Sequence, residues 1–130
     1  MVIDTSAFLA IFLAEPERKP FLDLIFQAEA RRVSSAIALE TGIVLEARRG
    51  EAAGREFDLF LVRANVELVP VDAEQSEIAR SAWRKYGKGR HPAALNFGDC
   101  FAYALAKSSA EALLAKGEEF GLTDVEIQTL

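Results

Sequence analysis

Four short β-prone runs, separated by segments that favour helix, most constrain the fold of this sequence. In chain order the runs read MVID, RRVSS, VELVPV and ALLAKG, and VEIQTL at the end is a candidate fifth. The segments between the runs are ten residues or longer, which is enough for the helical crossovers that parallel strands require. The sequence therefore predicts an α/β protein whose central parallel sheet of four to five strands is sandwiched between helical layers.

Two early segments are more apolar than a surface helix needs to be. TSAFLAIFL is apolar nearly all round, which favours a buried helix. FLDLIFQAEA predicts a second helix with a broad buried face. These helices either fill the core or provide a surface for a protein partner.

Length and composition limit the class of protein. The 130 residues predict a single domain spanning 1–130. No window is apolar enough for a membrane span, and the opening lacks the basic region of a secretory signal, so we expect a soluble cytoplasmic protein. A single cysteine, Cys100, excludes an internal disulfide and a cysteine-rich zinc site.

The charge of −5 argues on its own against nucleic-acid binding, but the charges are unevenly distributed. The segment RKYGKGRH carries four lysines and arginines and no acid, whereas the residues after it are rich in acids. An acidic protein can thus still present a local basic edge to phosphate.

Several acids are predicted to lie at strand ends or helix starts. Asp4 ends the first strand, Glu40 interrupts an apolar helix, and Asp99 lies near the start of a later helix. Glu118 and Glu119 follow the fourth strand. Because the carboxyl ends of parallel strands meet at one edge of the sheet, these acids are expected to converge there.

Each acid also has a structural explanation. Asp4 is a good N-cap, Asp99 lies three residues after Asn96 in a variant of the capping box, and Glu40 fits an exposed helix position. Convergent carboxylates without cationic partners, however, repel each other unless a divalent cation compensates them. An all-oxygen site suits Mg²⁺ or Mn²⁺, and such an ion supports phosphate chemistry.

Four segments together resemble the PIN-domain ribonucleases, and more narrowly the toxin subunits of VapBC-type toxin–antitoxin pairs. They are MVIDTSAFLAIFLAEPE, SSAIALETGIVLEAR, KGRHPAALNFGDCFAYALAK and the tail LLAKGEEF with TD, and they cover essentially the whole chain in order. The resemblance implies a PIN-like three-layer α/β/α fold and a Mg²⁺-dependent endoribonuclease in which Mn²⁺ can substitute.

The resemblance also assigns roles to the acids. Asp4, Glu40 and Asp99 match the catalytic triad and the metal ligands, with Asp4 and Asp99 as the primary ligands. We expect Glu40 to orient or deprotonate the attacking water. At the fourth acidic position of many relatives this chain has Gly117. Three acids beyond it are candidates for that role: Glu118, Glu119 and, further along, Asp124.

Other residues are candidates for RNA contact or for the core. The candidate RNA contacts are Ser6, Lys88, Arg90 and His91. Trp83 and Tyr86 have the spacing of core residues on a helix, although both could stack on bases. Cys100 is expected to pack as a small hydrophobe.

The resemblance implies two partners, an RNA substrate and an inhibitory antitoxin, in a homodimer or a hetero-oligomer. An arginine of such an antitoxin would compete with the metal for the carboxylates. Two alternatives remain open at this point: a phosphoacceptor domain of the receiver class, with Lys116 near its last strand, and a catalytically silent PIN fold that only binds a partner.

Overall fold

A computed structural model describes residues 1–129, and its centre is a parallel sheet of four strands. The strands are β1 (Val2–Ile3), β2 (Arg31–Ser34), β3 (Val66–Val69) and β4 (Leu113–Leu114), in the spatial order β3-β2-β1-β4. All paired neighbours run parallel. The α/β/α architecture with a four-stranded parallel sheet, predicted from the alternation of strands and helices, is confirmed.

Six α-helices connect the strands in the described part of the chain. They are α1 (Thr5–Phe12), α2 (Arg18–Gln27), α3 (Ser35–Arg49), α4 (Glu51–Arg63), α5 (Ala73–Tyr86) and α6 (Phe97–Ser109). A short 3-10 turn follows at Phe120–Leu122. No helix within residues 1–129 combines the length and the apolar character needed to cross a membrane.

Short polar side chains define where four of these helices begin. Asp4, Ser34, Asp72 and Asn96 each accept a hydrogen bond from a backbone N–H in the first turn of the helix that follows. Such caps satisfy donors that have no partner inside the helix. Since Asp4 directly follows β1 and Ser34 is the last residue of β2, these two caps also fix how the chain leaves the sheet.

The strand register brings distant parts of the chain to one edge. Val2 lies opposite Arg32 on one side and Leu113 on the other, and Ile3 lies opposite Leu114. The residues after β1 and β4 therefore leave the sheet side by side. Helix α6 packs on both of these strands, which brings its N-terminal end into the same neighbourhood.

Aromatic packing in the core holds α1 against α4. The rings of Phe8 and Phe57 are almost fully buried and meet edge to face, with centroids 5.0 Å apart. Phe12 and Phe60 form a similar pair at 5.5 Å. Burying a phenylalanine contributes about 1.5–3 kcal/mol, so this cluster is a main source of stability for the α1 side of the site.

Two expectations for individual segments differ from the structure. VEIQTL forms only an isolated parallel bridge between Leu113 and Ile127, and Leu130 lies outside the described residues. Helix α2 has a narrower buried face than predicted: Ile25 is its fully buried residue, while Phe26 is 56% exposed. Most of the apolar residues of α2 are half-buried because the helix packs on α1 at the margin of the core.

Candidate active site

Asp4 lies at the carboxyl end of β1 and begins α1. Its carboxylate is buried, with the residue 3% exposed. Oδ2 accepts hydrogen bonds from the Ser6 backbone N–H at 3.0 Å and from the Ser6 hydroxyl at 2.7 Å. The capping role is thus present, and it uses one carboxylate oxygen while no hydrogen bond from residues 1–129 reaches the other.

Burial raises the pKa of the Asp4 carboxyl group to about 6. The two hydrogen bonds from Ser6 oppose this shift, and the negative charges of Asp99 and Glu40 add to it. The three acids of the predicted triad are therefore close enough to repel one another.

Glu40 is held by a network of hydroxyl groups. The Thr5 hydroxyl donates to Oε1 of Glu40 at 2.6 Å. The Thr41 hydroxyl lies 3.1 Å from that of Thr5 and 2.8 Å from the carbonyl oxygen of Ile37. Glu40 is therefore not a freely solvated helix residue, because its carboxylate is tied to the first residue of α1.

Close packing of α6 also fixes the Glu40 carboxylate. A Cβ atom placed on Gly98 would overlap Oε2 of Glu40. The position just before Asp99 must therefore lack a side chain for Glu40 to lie where it does. In the sequence, a glycine adjoining a candidate catalytic acid is the only sign of this contact.

Asp99 takes part in the capping box of α6 and also lies close to other acids, as the sequence indicated. Its Oδ2 accepts from the Asn96 backbone N–H at 3.0 Å, and its own N–H donates to Oδ1 of Asn96 at 2.9 Å. Burial raises the pKa of the Asp99 carboxyl group, and the charges of Glu40 and Glu119 raise it further, against the bond from Asn96. The capping box thus holds Asp99 beside the other acids.

Asp4 and Asp99 border a cleft of about 410 Å³, whereas Glu40 is not part of its lining. Its lining includes Asp4, Asp99 and Glu119 together with Ser6, Lys88 and Lys116. The Lys116 ammonium is paired with Glu15 and Glu17, outside the acid cluster. Its backbone N–H donates to the Ser6 hydroxyl at 2.9 Å, which ties the segment after β4 to the start of α1.

The structure separates the three candidates for a fourth acid. Glu118 and Glu119 are both exposed, but Glu119 lines the cleft and Glu118 does not. Asp124 bonds to the Tyr103 hydroxyl and to Lys107 instead. Gly117 adopts φ +103°, and a Cβ atom there would overlap Oε2 of Glu119, so glycine at this position lets Glu119 approach.

The donor set suits a hard divalent cation. Carboxylate oxygens converge from three elements, and within residues 1–129 no lysine or arginine forms an ion pair with Asp4, Glu40 or Asp99. Among the same residues no three acidic, histidine or cysteine side chains already stand close enough to hold one ion. The chemistry of the donor atoms nevertheless fits a divalent cation.

The candidate RNA contacts are divided between the cleft and its surroundings. Ser6 and Lys88 line the cleft. The Arg90 guanidinium lies over the ring of Trp83 at 4.3 Å. His91 Nδ1 accepts from the Ala93 backbone N–H at 3.0 Å and its ring packs on Tyr86, so this histidine stabilises the loop.

Predictions for three residues expected in the core have different outcomes. Cys100 and Tyr86 are buried, as expected, and burial raises the pKa of the Cys100 thiol to about 11, which leaves it unreactive at neutral pH. The prediction for Trp83 was wrong, since it is 43% exposed. Its helical spacing is consistent with a core position, but α6 covers only part of its ring.

Comparison with known proteins identifies one protein family over almost the whole chain. The model of the PIN domain family matches residues 1–126. Ribonuclease VapC of Mycolicibacterium smegmatis is 57% identical over 125 residues, which cover 96% of this chain and 97% of that protein.

Two solved structures share the fold. VapC20 of Mycobacterium tuberculosis, a toxin that cleaves the sarcin–ricin loop, has a TM-score of 0.77 at 18% identity and covers 95% of both chains. A toxin–antitoxin complex from Klebsiella pneumoniae has a TM-score of 0.71 at 14% identity, covering 98% of this chain and 95% of that chain. The matched family model and the identity to a VapC ribonuclease place this chain in the PIN-domain family, among the VapC proteins.

Proposed function

We propose that this protein is a metal-dependent endoribonuclease that hydrolyses phosphodiester bonds in RNA and acts as the toxin of a type II toxin–antitoxin pair. The observation that carries the proposal is the buried Asp4 carboxylate, whose pKa is raised by burial and by the nearby charges of Asp99 and Glu40. The 57% identity to a protein named ribonuclease VapC supports the same activity. The receiver-domain alternative is excluded by membership of the PIN-domain family.

Mg²⁺ is the proposed ion, with Mn²⁺ as a substitute. Asp4 and Asp99 would hold it, with Glu119 as the fourth acid. A bound Mg²⁺ polarises a phosphoryl oxygen and lowers the pKa of a water ligand. Glu40, oriented by the Thr5 hydroxyl, would align or deprotonate the attacking water.

The protein's own residues explain how a phosphate could approach so acidic a site. Lys88 lies in the lining of the cleft, and Lys116 lies on its border with its charge shared by two glutamates. Ser6 is a positioning residue, because its hydroxyl bridges Asp4 and the Lys116 backbone. Arg90 would contact the RNA outside the cleft, and His91 would act through the loop that it stabilises.

An antitoxin partner is proposed from the family and from the surface. The toxin–antitoxin complex from Klebsiella pneumoniae shows the same fold in such an assembly. Most residues of α1 are buried, so SAFLAIFL largely fills the core, and the exposed apolar surface lies on later helices. Its members on α2, α3 and α4 are Phe26, Leu39, Ile43, Leu59 and Val62.

An antitoxin arginine that reached Asp4 and Asp99 would displace the metal. Such a toxin would act in the cytoplasm, where its RNA substrate is found.

The experiment is an RNA cleavage assay with purified protein in Mg²⁺, in Mn²⁺ and in EDTA. The unmodified protein and Asp58→Asn, an exposed change on α4, should cleave with either metal and stop in EDTA. Asp99→Asn should be inactive. Cleavage that survives EDTA, or full activity of folded Asp99→Asn, would refute the proposed site. An inert wild-type protein that binds the antitoxin would favour the silent PIN fold.

A further inference from the structure

A second, apolar groove lies beside the acidic cleft, between α5 and α6. It has a volume of about 560 Å³ and is lined by the aromatic side chains of Trp83, Phe97 and Phe101. Phe97 is 81% exposed and Trp83 is 43% exposed. Exposed aromatic groups of this size around one concave site are typical of binding surfaces rather than of an idle surface.

The groove differs in charge from the cleft next to it. Arg80 and Lys88 are part of its lining, and no carboxylate contributes among the described residues that line it. The cleft, in contrast, is bordered by several acids. In a chain of net charge −5 this local absence of acids favours a partner that carries negative charge.

The groove and the cleft are continuous. Lys88 and Asn96 belong to the lining of both. A polymer with one phosphate at the acids could therefore pass Lys88 and place its next group in the groove. This continuity connects the groove to the proposed reaction.

The aromatic rings that line the groove are held in place. The Arg90 guanidinium lies 4.3 Å from the centroid of Trp83 and covers one side of the indole. A Cβ atom on Gly87 would overlap the Trp83 side chain and backbone, so the indole packs closely on the end of α5. Phe97 meets Phe101 edge to face at 4.9 Å. Rigid rings of this kind lose little entropy when a planar group binds.

The geometry points to a nucleobase subsite: the groove holds an unpaired base of the RNA strand whose phosphate lies in the acidic cleft. This inference rests on the proposed ribonuclease function. A flat heterocycle suits an aromatic groove with basic side chains at its border, because bases stack on aromatic rings while Arg80 and Lys88 neutralise the phosphates. A second copy of this chain is the competing occupant, and the experiment below distinguishes it from RNA.

Trp83 is the only tryptophan in the sequence, so its fluorescence reports on the groove directly. The probe is a single-stranded RNA of eight nucleotides, compared with versions that each carry one abasic ribose in place of a nucleotide. Titrations use Glu40→Gln with Mg²⁺, and the RNA is checked for integrity after each one. Phe97→Ala in this background removes a groove ring and keeps the reporter, and Leu68→Ala, 54% exposed on β3, is the matched control.

We expect the RNA to quench Trp83 and an abasic ribose at one position to weaken binding about tenfold or more, the range seen for base stacking on aromatic side chains. Phe97→Ala should weaken binding of the intact RNA by a similar factor and leave the affinity for that abasic RNA unchanged. Leu68→Ala should leave the affinity for the intact RNA unchanged. Equal affinity for intact and abasic RNA would overturn the subsite. A dimer broken by Phe97→Ala with unchanged RNA affinity would also overturn it and assign the groove to contact between copies. Wild-type cleavage of the same RNA is measured in parallel. Cleavage with equal affinity for intact and abasic RNA would refute the subsite alone, whereas absence of cleavage would refute the ribonuclease proposal.

Discussion

The hydroxyl of Thr5 donates a 2.6 Å hydrogen bond to the carboxylate of Glu40, and this bond joins the start of α1 to the middle of α3. It connects the acid that follows β1 with the acid on the helix that follows β2. The bond therefore links Glu40 to the residue next to Asp4, and the first prediction concerns it.

Thr5→Val keeps the shape of the buried side chain and removes its donor. We expect cleavage to fall by about 10–100-fold, the usual effect of losing a residue that orients a catalytic ligand. Stability should fall by about 1–3 kcal/mol, because the Thr41 hydroxyl also loses a neighbour. Thr5→Ser restores the hydroxyl and should restore most of the rate. Equal rates for the valine and serine variants would show that Thr5 only packs.

Gly98→Ala tests the contact between α6 and Glu40 without touching an acid. The added methyl group occupies the place of Oε2 of Glu40, so the carboxylate must turn away and cleavage should fall at least about tenfold. Gly42→Ala on α3 is the control, since a Cβ atom there meets nothing within 4 Å. It should raise stability by about 0.8–1 kcal/mol and leave the rate unchanged. Rates and urea unfolding of both variants give the comparison.

Asp4→Asn is predicted to make the metal-free protein more stable at neutral pH. The folded pKa of about 6 lies above the ordinary 3.8, so the folded state binds this proton more tightly than the unfolded state. Stability therefore declines as pH rises from about 4 through 6, by on the order of 3 kcal/mol. Asparagine keeps the cap and removes this loss. Urea unfolding in EDTA between pH 4 and 8 measures the effect.

The control for that experiment is Asp72→Asn, the same change at the exposed N-cap of α5. It should alter stability by no more than about 0.5 kcal/mol. If Asp4→Asn lowered stability at pH 7.5 as a lost cap would, the electrostatic account of Asp4 would be wrong.

Metal binding should reverse the repulsion among the acids. We expect Mg²⁺ to raise the melting temperature of the unmodified protein in a concentration-dependent way, because the ion binds only the folded chain. The rise should be largely absent in Asp4→Asn and in Asp99→Asn, and retained in Asp58→Asn. Scanning calorimetry with and without EDTA gives the result. A melting temperature that ignores both Mg²⁺ and Mn²⁺ would contradict the metal site.

The acids should behave as one catalytic unit. Asp4→Asn, Glu40→Gln and Asp99→Asn are each expected to reduce the cleavage rate by a large factor, and the double variants should lose little more than the singles. Independent structural roles would instead give losses that multiply. Single-turnover rates at saturating metal separate the two outcomes.

The sequence predicted those features that depend on residue type at fixed spacing. The alternation of strands and helices predicted the parallel sheet. The acids at the strand ends predicted a common acidic site, and the structure has a cleft lined by Asp4, Asp99 and Glu119. The capping boundaries at Asp72 and Asn96 followed from the short polar side chains at those positions.

Features that depend on long-range packing could not be predicted from residue type and spacing. That Glu119 lines the cleft and Glu118 does not depends on the turn at Gly117, where φ is positive. The exposure of Trp83 depends on how much of α5 is covered by α6, which its helical period does not reveal. The bond between Thr5 and Glu40 spans 35 residues of sequence.

The position of β1 has a consequence for protein synthesis. This strand lies between β2 and β4, and Val2 pairs with Arg32 and with Leu113. A nascent chain therefore cannot complete its sheet until residue 113 has left the ribosome, although Asp4 emerges more than 100 residues earlier. Pairings between residues so distant in sequence also slow folding. An unfinished chain should carry no assembled nuclease cleft, so a ribosome that is still translating the message would not be exposed to the activity of its own product.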